Sequence, residues 1–279
     1  MMLTEPRYAV VPEPEGAPYE TVRWLRREVA RFREGLAHTE RRAAAAAVLD
    51  GLDLDRLRAD AAVWTARVVD DAARSAFDAM ELVARTVPAG VLAVALGIDP
   101  PEQAVAAVRA VAPCYQPGTD VPAAADDAVR RLAGLFRPAA DVTVAARIGV
   151  LVQAYDATAG LIGNAIVAAR ESGPGADAGE LVRAVLRDDP PVRGTRRVDP
   201  AGRVHPVDLT TAGPGGGPAP FGRGAHACPG ESHAVAIAEG AVGVLLVRCE
   251  HTAGEVPYTG GEVLRIPARL MLRERGGRR

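Results

Sequence analysis

Phe221-Gly222-Arg223-Gly224-Ala225-His226-Ala227-Cys228-Pro229-Gly230 holds the residue types best suited to chemistry in this chain. Gly222 and Gly224 open backbone geometry closed to other residues. Cys228 stands just before an apolar run that reads as a helix, where free N–H groups and the positive helix end favour a thiolate. A thiolate supported by backbone donors suits a redox-tuned iron ligand. Two other readings stay open on the loop alone. One is an inert cysteine, the usual fate of a free thiol. The other is a zinc site of His226, Cys228 and His233, although no second ligand pair stands at zinc-like spacing.

Two further places carry chemistry. His38 and Arg42 are four residues apart, so on a helix imidazole and guanidinium share a face and can meet one carboxylate; a solvated basic face is the plainer reading. Asp156 lies inside an apolar stretch, where an acid is costly unless paired or used; a neighbouring arginine that satisfies it is the plainer reading. Tyr115 and Tyr155 are pocket candidates, with a core aromatic the commoner role for each.

The elements that must position these residues are mostly helical. Apolar spacing predicts helices over 19–34, 38–50, 53–80, 82–97 with an internal Pro88-Ala89-Gly90 that kinks or splits it, 102 onward, 122–136, 181–187 and 231–247. Residues 141–170 are apolar on nearly every face, which predicts a central helix buried all round. Residues 192–209 read as short strands, 213–218 as a flexible connector, and 254–273 as two strands joined near Thr259-Gly260-Gly261. The fold class expected is mainly α with minor β, in a single domain over 1–279 whose first 15 residues form an N-terminal extension.

Composition excludes several classes. A net charge of −2 with intermixed signs gives no electrostatic case for nucleic acid or an anionic membrane. No uncharged run reaches bilayer-spanning length, and the N-terminus lacks the pattern of a secretory signal. Three cysteines, Cys114, Cys228 and Cys249, argue against a disulfide framework and for a cytoplasmic setting.

The cysteine run resembles the haem-binding loop of cytochromes P450, F-G-x-G-x-H-x-C-x-G, with Phe221, Gly222, Gly224, His226, Cys228 and Gly230 filling the six defining positions. The resemblance implies haem b with Cys228 as thiolate ligand and His226 at a propionate. His38-Thr39-Glu40-Arg41-Arg42 resembles the family's H-x-x-x-R propionate helix. Asp189-Pro190-Pro191-Val192 followed by Arg196-Arg197-Val198 resembles the segment whose arginine, here Arg197, binds a propionate. Residues 77–98 resemble the helix pair before the substrate lid, and Tyr155 to Asn164 the long helix that crosses the haem face, where Asp156 takes the place of the proton-delivering acid.

The chain departs from that pattern in four places. The position after the acid, normally Thr, is Ala157; Thr158 is rotated about 100° further round the helix and does not replace the hydroxyl. The E-x-x-R helix looks like Ala184-Val185-Leu186-Arg187, without its Glu, while Glu180-Leu181-Val182-Arg183 spells the motif one turn earlier. The stretch between Arg197 and Phe221 is too short for the usual strands and meander. Only 37 residues precede His38. The resemblance is therefore to a reduced cytochrome P450-like fold. It implies a P450-like monooxygenase acting on a small organic molecule in bacterial specialised metabolism, served by ferredoxin and ferredoxin reductase. Ala157 motivates the alternative of a peroxygenase, isomerase, dehydratase or cyclase. A third reading is a P450-like accessory protein for a partner enzyme, and the abbreviated scaffold motivates a homodimer or such a partner.

Overall fold

The computed structural model describes all residues except 1, 6, 74, 173, 174, 212–216, 253, 260, 262 and 277–279. Its helices are α1 (Val22–Arg27), α2 (Gly35–Asp50), α3 (Leu54–Asp71), α4 (Thr86–Ala95), α5 (Glu102–Val111), α6 (Ala123–Leu135), α7 (Asp141–Ser172), α8 (Ala178–Asp188) and α9 (Glu231–Arg248). The strands are β1 (Phe77–Asp78), β2 (Gly194–Val198), β3 (Val204–Asp208), β4 (Cys249–His251) and β5 (Met271–Glu274). This is the mainly α, minor β architecture expected.

The predominantly apolar α7 is the axis of the molecule. Val144, Ile148, Leu151, Ala159, Leu161, Ile162 and Ala165 are buried along it, and α2, α4, α8 and α9 all pack on it. By length and composition α7 and the stretch Gly224–Arg248 would also suit a membrane, but two thirds of the α7 window is buried inside the fold, as a core helix requires. Glycines set the closest crossings. A Cβ at Gly240 of α9 would lie 2.1 Å from the Arg58 carbonyl oxygen of α3, and one at Gly160 of α7 would lie 2.5 Å from Pro191. The second approach presses the chain that leads into β2 directly onto α7.

Two small sheets finish the fold. β2 and β3 form an antiparallel hairpin in which Arg197 pairs with His205. β5 lies between β1 and β4, with Phe77 opposite Leu272 and Cys249 opposite Glu274. Asn164 Nδ2 ties the parts together, donating to the carbonyls of Asp189 (3.1 Å) and Arg265 (3.3 Å). The Arg265 guanidinium in turn pairs with Asp189 at 2.9 Å and lies 3.7 Å above the Tyr258 ring.

Several sequence expectations need correction. The helix expected over 19–34 is α1 followed by a separate 3₁₀ turn, Ala30–Phe32. The helix expected over 53–80 ends at Asp71, and Phe77–Asp78 is strand. The interruption expected around Pro88 is present as a split: a π-helical turn, Met80–Ala84, gives way at Arg85 to α4, and Pro88 stands in the first turn of α4, where a missing N–H costs little. The tail does reverse between Thr259 and Ile266, whose backbone groups bond at 2.8 Å, but its regular pairing is β4 with β5, and β4 begins where α9 was expected to stop. Residues 213–216 of the expected connector and Gly260 of the expected turn lie outside the described residues. The expected N-terminal extension, 1–15, is tied to the body: Ala9 and Val198 exchange two backbone bonds of 3.0 and 2.9 Å, and Leu3 packs with Val207 and Leu209.

Candidate functional site

The cysteine loop folds on its glycines. Gly222 and Gly224 both have φ of +73°, a region costly for any residue with a Cβ. With those two turns made, the Cys228 N–H reaches back to the Phe221 carbonyl at 2.7 Å and Ala227 to Gly224 at 3.1 Å. Gly230 follows as the N-cap of α9. A Cβ there would lie at ordinary contact distance, 4.0 Å, from Cys228 Sγ. Cys228 is exposed to solvent, yet surrounding protein pushes its thiol up while the Gly230 N–H pulls it down.

Two other segments converge on the loop. From α2, Arg42 donates to the Ala227 carbonyl, one residue before the cysteine. His38, one turn earlier, is buried, and its ring lies 4.2 Å from that of His226, tilted 54°. From β2 comes Arg197, 6% exposed, bonded only locally, to the Arg196 carbonyl (3.0 Å) and Thr195 Oγ1 (3.5 Å). Burial lowers its affinity for a proton, Glu34 raises it, and Arg31 lowers it again. Arg31 and Glu34 come from the chain just before α2.

The cluster is short of anions. Among the described residues no carboxylate forms an ion pair with Arg31, Arg42 or Arg197, although most arginines of this chain have one. Nε2 of His38 and Nε2 of His226 are buried without a hydrogen-bond partner. His226 Nε2 lies 3.3 Å from Glu34 Oε1, close enough for charge attraction but off the line of a hydrogen bond. Burial depresses the His226 pKa, with Glu34 opposing. Buried donors without acceptors are expensive. Here the two imidazoles stand side by side, and an anionic ligand there would satisfy them. The residues present therefore fit a porphyrin with two carboxylates, next to a thiol that can reach a metal. Among the described residues no group of three or more His, Cys, Asp or Glu side chains is gathered as a metal ion would need, which removes the zinc reading; His233 Nε2 is engaged with the Leu49 carbonyl at 3.0 Å.

The backbone matches solved cytochrome P450 structures over nearly its whole length. P450BioI, crystallised with an acyl carrier protein ligated to hexadec-9Z-enoic acid, gives a TM-score of 0.78 at 16% identity, covering 98% of this chain and 89% of that one. Substrate-free CYP109E1 from Bacillus megaterium gives 0.77 at 17% identity, over 98% and 90%. The chain has a cytochrome P450-like fold. A thermophilic cytochrome P450 from Sulfolobus tokodaii agrees, with 0.75 at 18% identity over 99% and 91%. No family model matches the sequence, and no curated protein matches it either.

The P450-like frame sharpens the departures. On α7, Thr158 is buried with 1% exposure, whereas Asp156 and Ala157 are half-buried. The Thr158 hydroxyl is thus turned into the core and away from the side Ala157 occupies. Asp156 is pushed up by burial and pulled down by Arg85, without an ion pair between them. Arg187, the arginine of the E-x-x-R-like stretch, is exposed and pairs with its neighbour Asp188 at 3.0 Å. Arg183, from the other register, approaches Glu239 of α9 at 3.7 Å. The pairing of Arg265 with Asp189, braced by Asn164, anchors the end of α8 instead. Sequence reading missed Arg31 and Glu34. A usable signal was there for Glu34, which stands at the N-cap of α2, four residues before His38.

Proposed function

We infer that this chain is a haem-thiolate oxidoreductase, a P450-like monooxygenase of a small organic molecule. The observation that carries the reading is the meeting of Cys228 with Arg42, Arg197 and the partnerless imidazoles of His38 and His226, drawn from three distant segments. Bound there, haem b would supply oxygen chemistry at its iron, with thiolate ligation favouring O–O cleavage. Cys228 is the residue that would hold the metal; His38, Arg42, Arg197 and His226 would hold the propionates. Phe221, Gly222, Gly224 and Gly230 shape the loop that presents the sulfur.

Asp156 is the proton-handling group. Its surroundings favour the protonated carboxyl more than water does, and Arg85 restrains that preference, so the group can hold a proton at its carboxyl oxygen and release it. Ala157 supplies no hydroxyl beside it. The relatives in fold were crystallised with a fatty acyl chain and with corticosterone or testosterone; we assign a substrate of comparable, largely apolar character, in a cytoplasmic pathway of bacterial specialised metabolism, with ferredoxin and its reductase as electron donors. A second reading rests on Ala157 and the core-facing Thr158: haem chemistry without reductive oxygen activation, as in a peroxygenase, isomerase, dehydratase or cyclase. An accessory role beside a partner enzyme, or a homodimer, is the third.

The deciding experiment supplies haem-reconstituted protein with a panel of apolar small molecules and either ferredoxin, reductase and NADPH, or peroxide. Oxygen insertion with the reducing system supports monooxygenation. Products formed only with peroxide, or without oxidant, transfer the assignment to the second reading, and a protein inert in every arm to the third.

A further inference from the structure

Glu34 is the acid that stands against the histidine and arginine side of this site. Among the charged groups that influence His226 and Arg197, Glu34 is the sole carboxylate, beside His38, Arg31 and Arg197. It stands at the N-cap of α2, one turn before His38 and two before Arg42. Its Oε1 accepts the Val10 N–H at 2.8 Å and lies 3.3 Å from His226 Nε2. It therefore lies where an anionic ligand of His226 would lie, and it only half-engages that nitrogen, which keeps an unfilled donor site.

We propose that Glu34 is a place-holding carboxylate: in the haem-free protein it occupies the anion position beside His226 and Arg197, and cofactor uptake requires His226 to exchange this carboxylate for a propionate. The proposal rests on the haem reading above and goes beyond it, because it makes an acid within the cluster a brake on cofactor affinity. Two physical points support it. Like charges side by side repel, so an ionised Glu34 opposes a dianion arriving at the same donors. The cluster would also be more cationic without it, and an open cationic cluster in a haem-free protein would attract any polyanion.

The competing explanation is structural. Through the Val10 N–H, Glu34 pins the N-terminal segment that bridges Val198, next to Arg197. Glu34→Gln separates the two roles, since an amide oxygen still accepts from Val10 but carries no charge; Glu34→Ala removes both. The experiment is a spectrophotometric titration of each purified haem-free protein with haem b, and with haem dimethyl ester, whose carboxylates are blocked; circular dichroism verifies folding. Both variants are expected to bind haem b about tenfold more tightly than the wild type, and to bind the ester with wild-type affinity. Unchanged affinity in Glu34→Gln with weakened binding in Glu34→Ala would assign the residue to pinning alone and overturn the proposal. An equal gain with the ester would overturn it too, since no propionate would then be competing. If the wild type binds haem and only the fold-change is missing, this proposal fails alone; if neither wild type nor variants bind either porphyrin, the haem reading fails with it.

Discussion

His38 on α2 and His226 in the cysteine loop face each other with ring centroids 4.2 Å apart, and each keeps a buried Nε2 without a partner. His251, by contrast, engages the Ile166 carbonyl through its Nε2 at 2.9 Å. Two adjacent imidazoles left unspent, with the buried and unpaired Arg197 nearby, are expensive in a haem-free protein. They make sense as half of an interface.

Removing one side of that interface should weaken cofactor binding without unfolding the protein. A hydrogen bond to a charged group contributes about 1.5–3 kcal/mol, so His38→Ala or Arg197→Ala should each lower haem affinity roughly tenfold to a hundredfold. Titration against the wild type measures it. Equal affinities would mean that these residues face something else.

Asp156→Asn keeps the size of the side chain and removes its transferable proton. Turnover driven by ferredoxin and reductase should fall by about a hundredfold, within the range for a lost general acid. Haem uptake should not change, since Asp156 stands on α7 and outside the cationic cluster. Full turnover by the variant would relieve Asp156 of its role and favour chemistry without proton delivery.

The crossing of α3 and α9 tolerates no side chain at position 240. Gly240→Ala would force a Cβ to within 2.1 Å of the Arg58 carbonyl oxygen, and overpacking of this kind costs about 1–3 kcal/mol. Because α9 begins directly after Cys228, the same change should loosen haem as well as lower the midpoint of chemical denaturation. A variant as stable as the wild type would show that the helices can separate freely.

Stability should also fall on mild acidification, in part through His251. Burial holds its pKa below the usual value, the Ile166 carbonyl opposing and Arg170 assisting. The native state therefore binds fewer protons than the unfolded state, which titrates near about pH 6.5. Any penalty is absent above that pH and grows as pH falls toward the native pKa. His251→Gln keeps a donor for the Ile166 carbonyl and removes the titration. Its stability should decline less than that of the wild type between roughly pH 7 and 5. Parallel curves would contradict the assignment.

Much of the site could be read from the chain because its determinants are local. The loop needs glycines where φ is positive, and the pairing of His38 with Arg42 follows from helix periodicity. The central helix was legible from its unbroken apolarity. What escaped depended on tertiary geometry. The break after Asp71 and the short α1 are decided by packing, which periodicity does not encode. Arg31 and Glu34 read as ordinary surface charges until the fold sets them against Arg197 and His226. The substitute for the E-x-x-R network, Arg265 with Asp189 and Asn164, joins residues up to 101 positions apart and left no local trace.

The most direct measurement is the absorption spectrum of purified, haem-reconstituted protein, ferric and then ferrous under carbon monoxide, for wild type and Cys228→Ser. The account predicts a red-shifted carbonyl Soret band of the thiolate-ligated type in the wild type, lost in Cys228→Ser while the variant still takes up haem through His38, Arg42, Arg197 and His226. A wild-type protein that stays colourless with added haem, or a thiolate band that survives in Cys228→Ser, would contradict it.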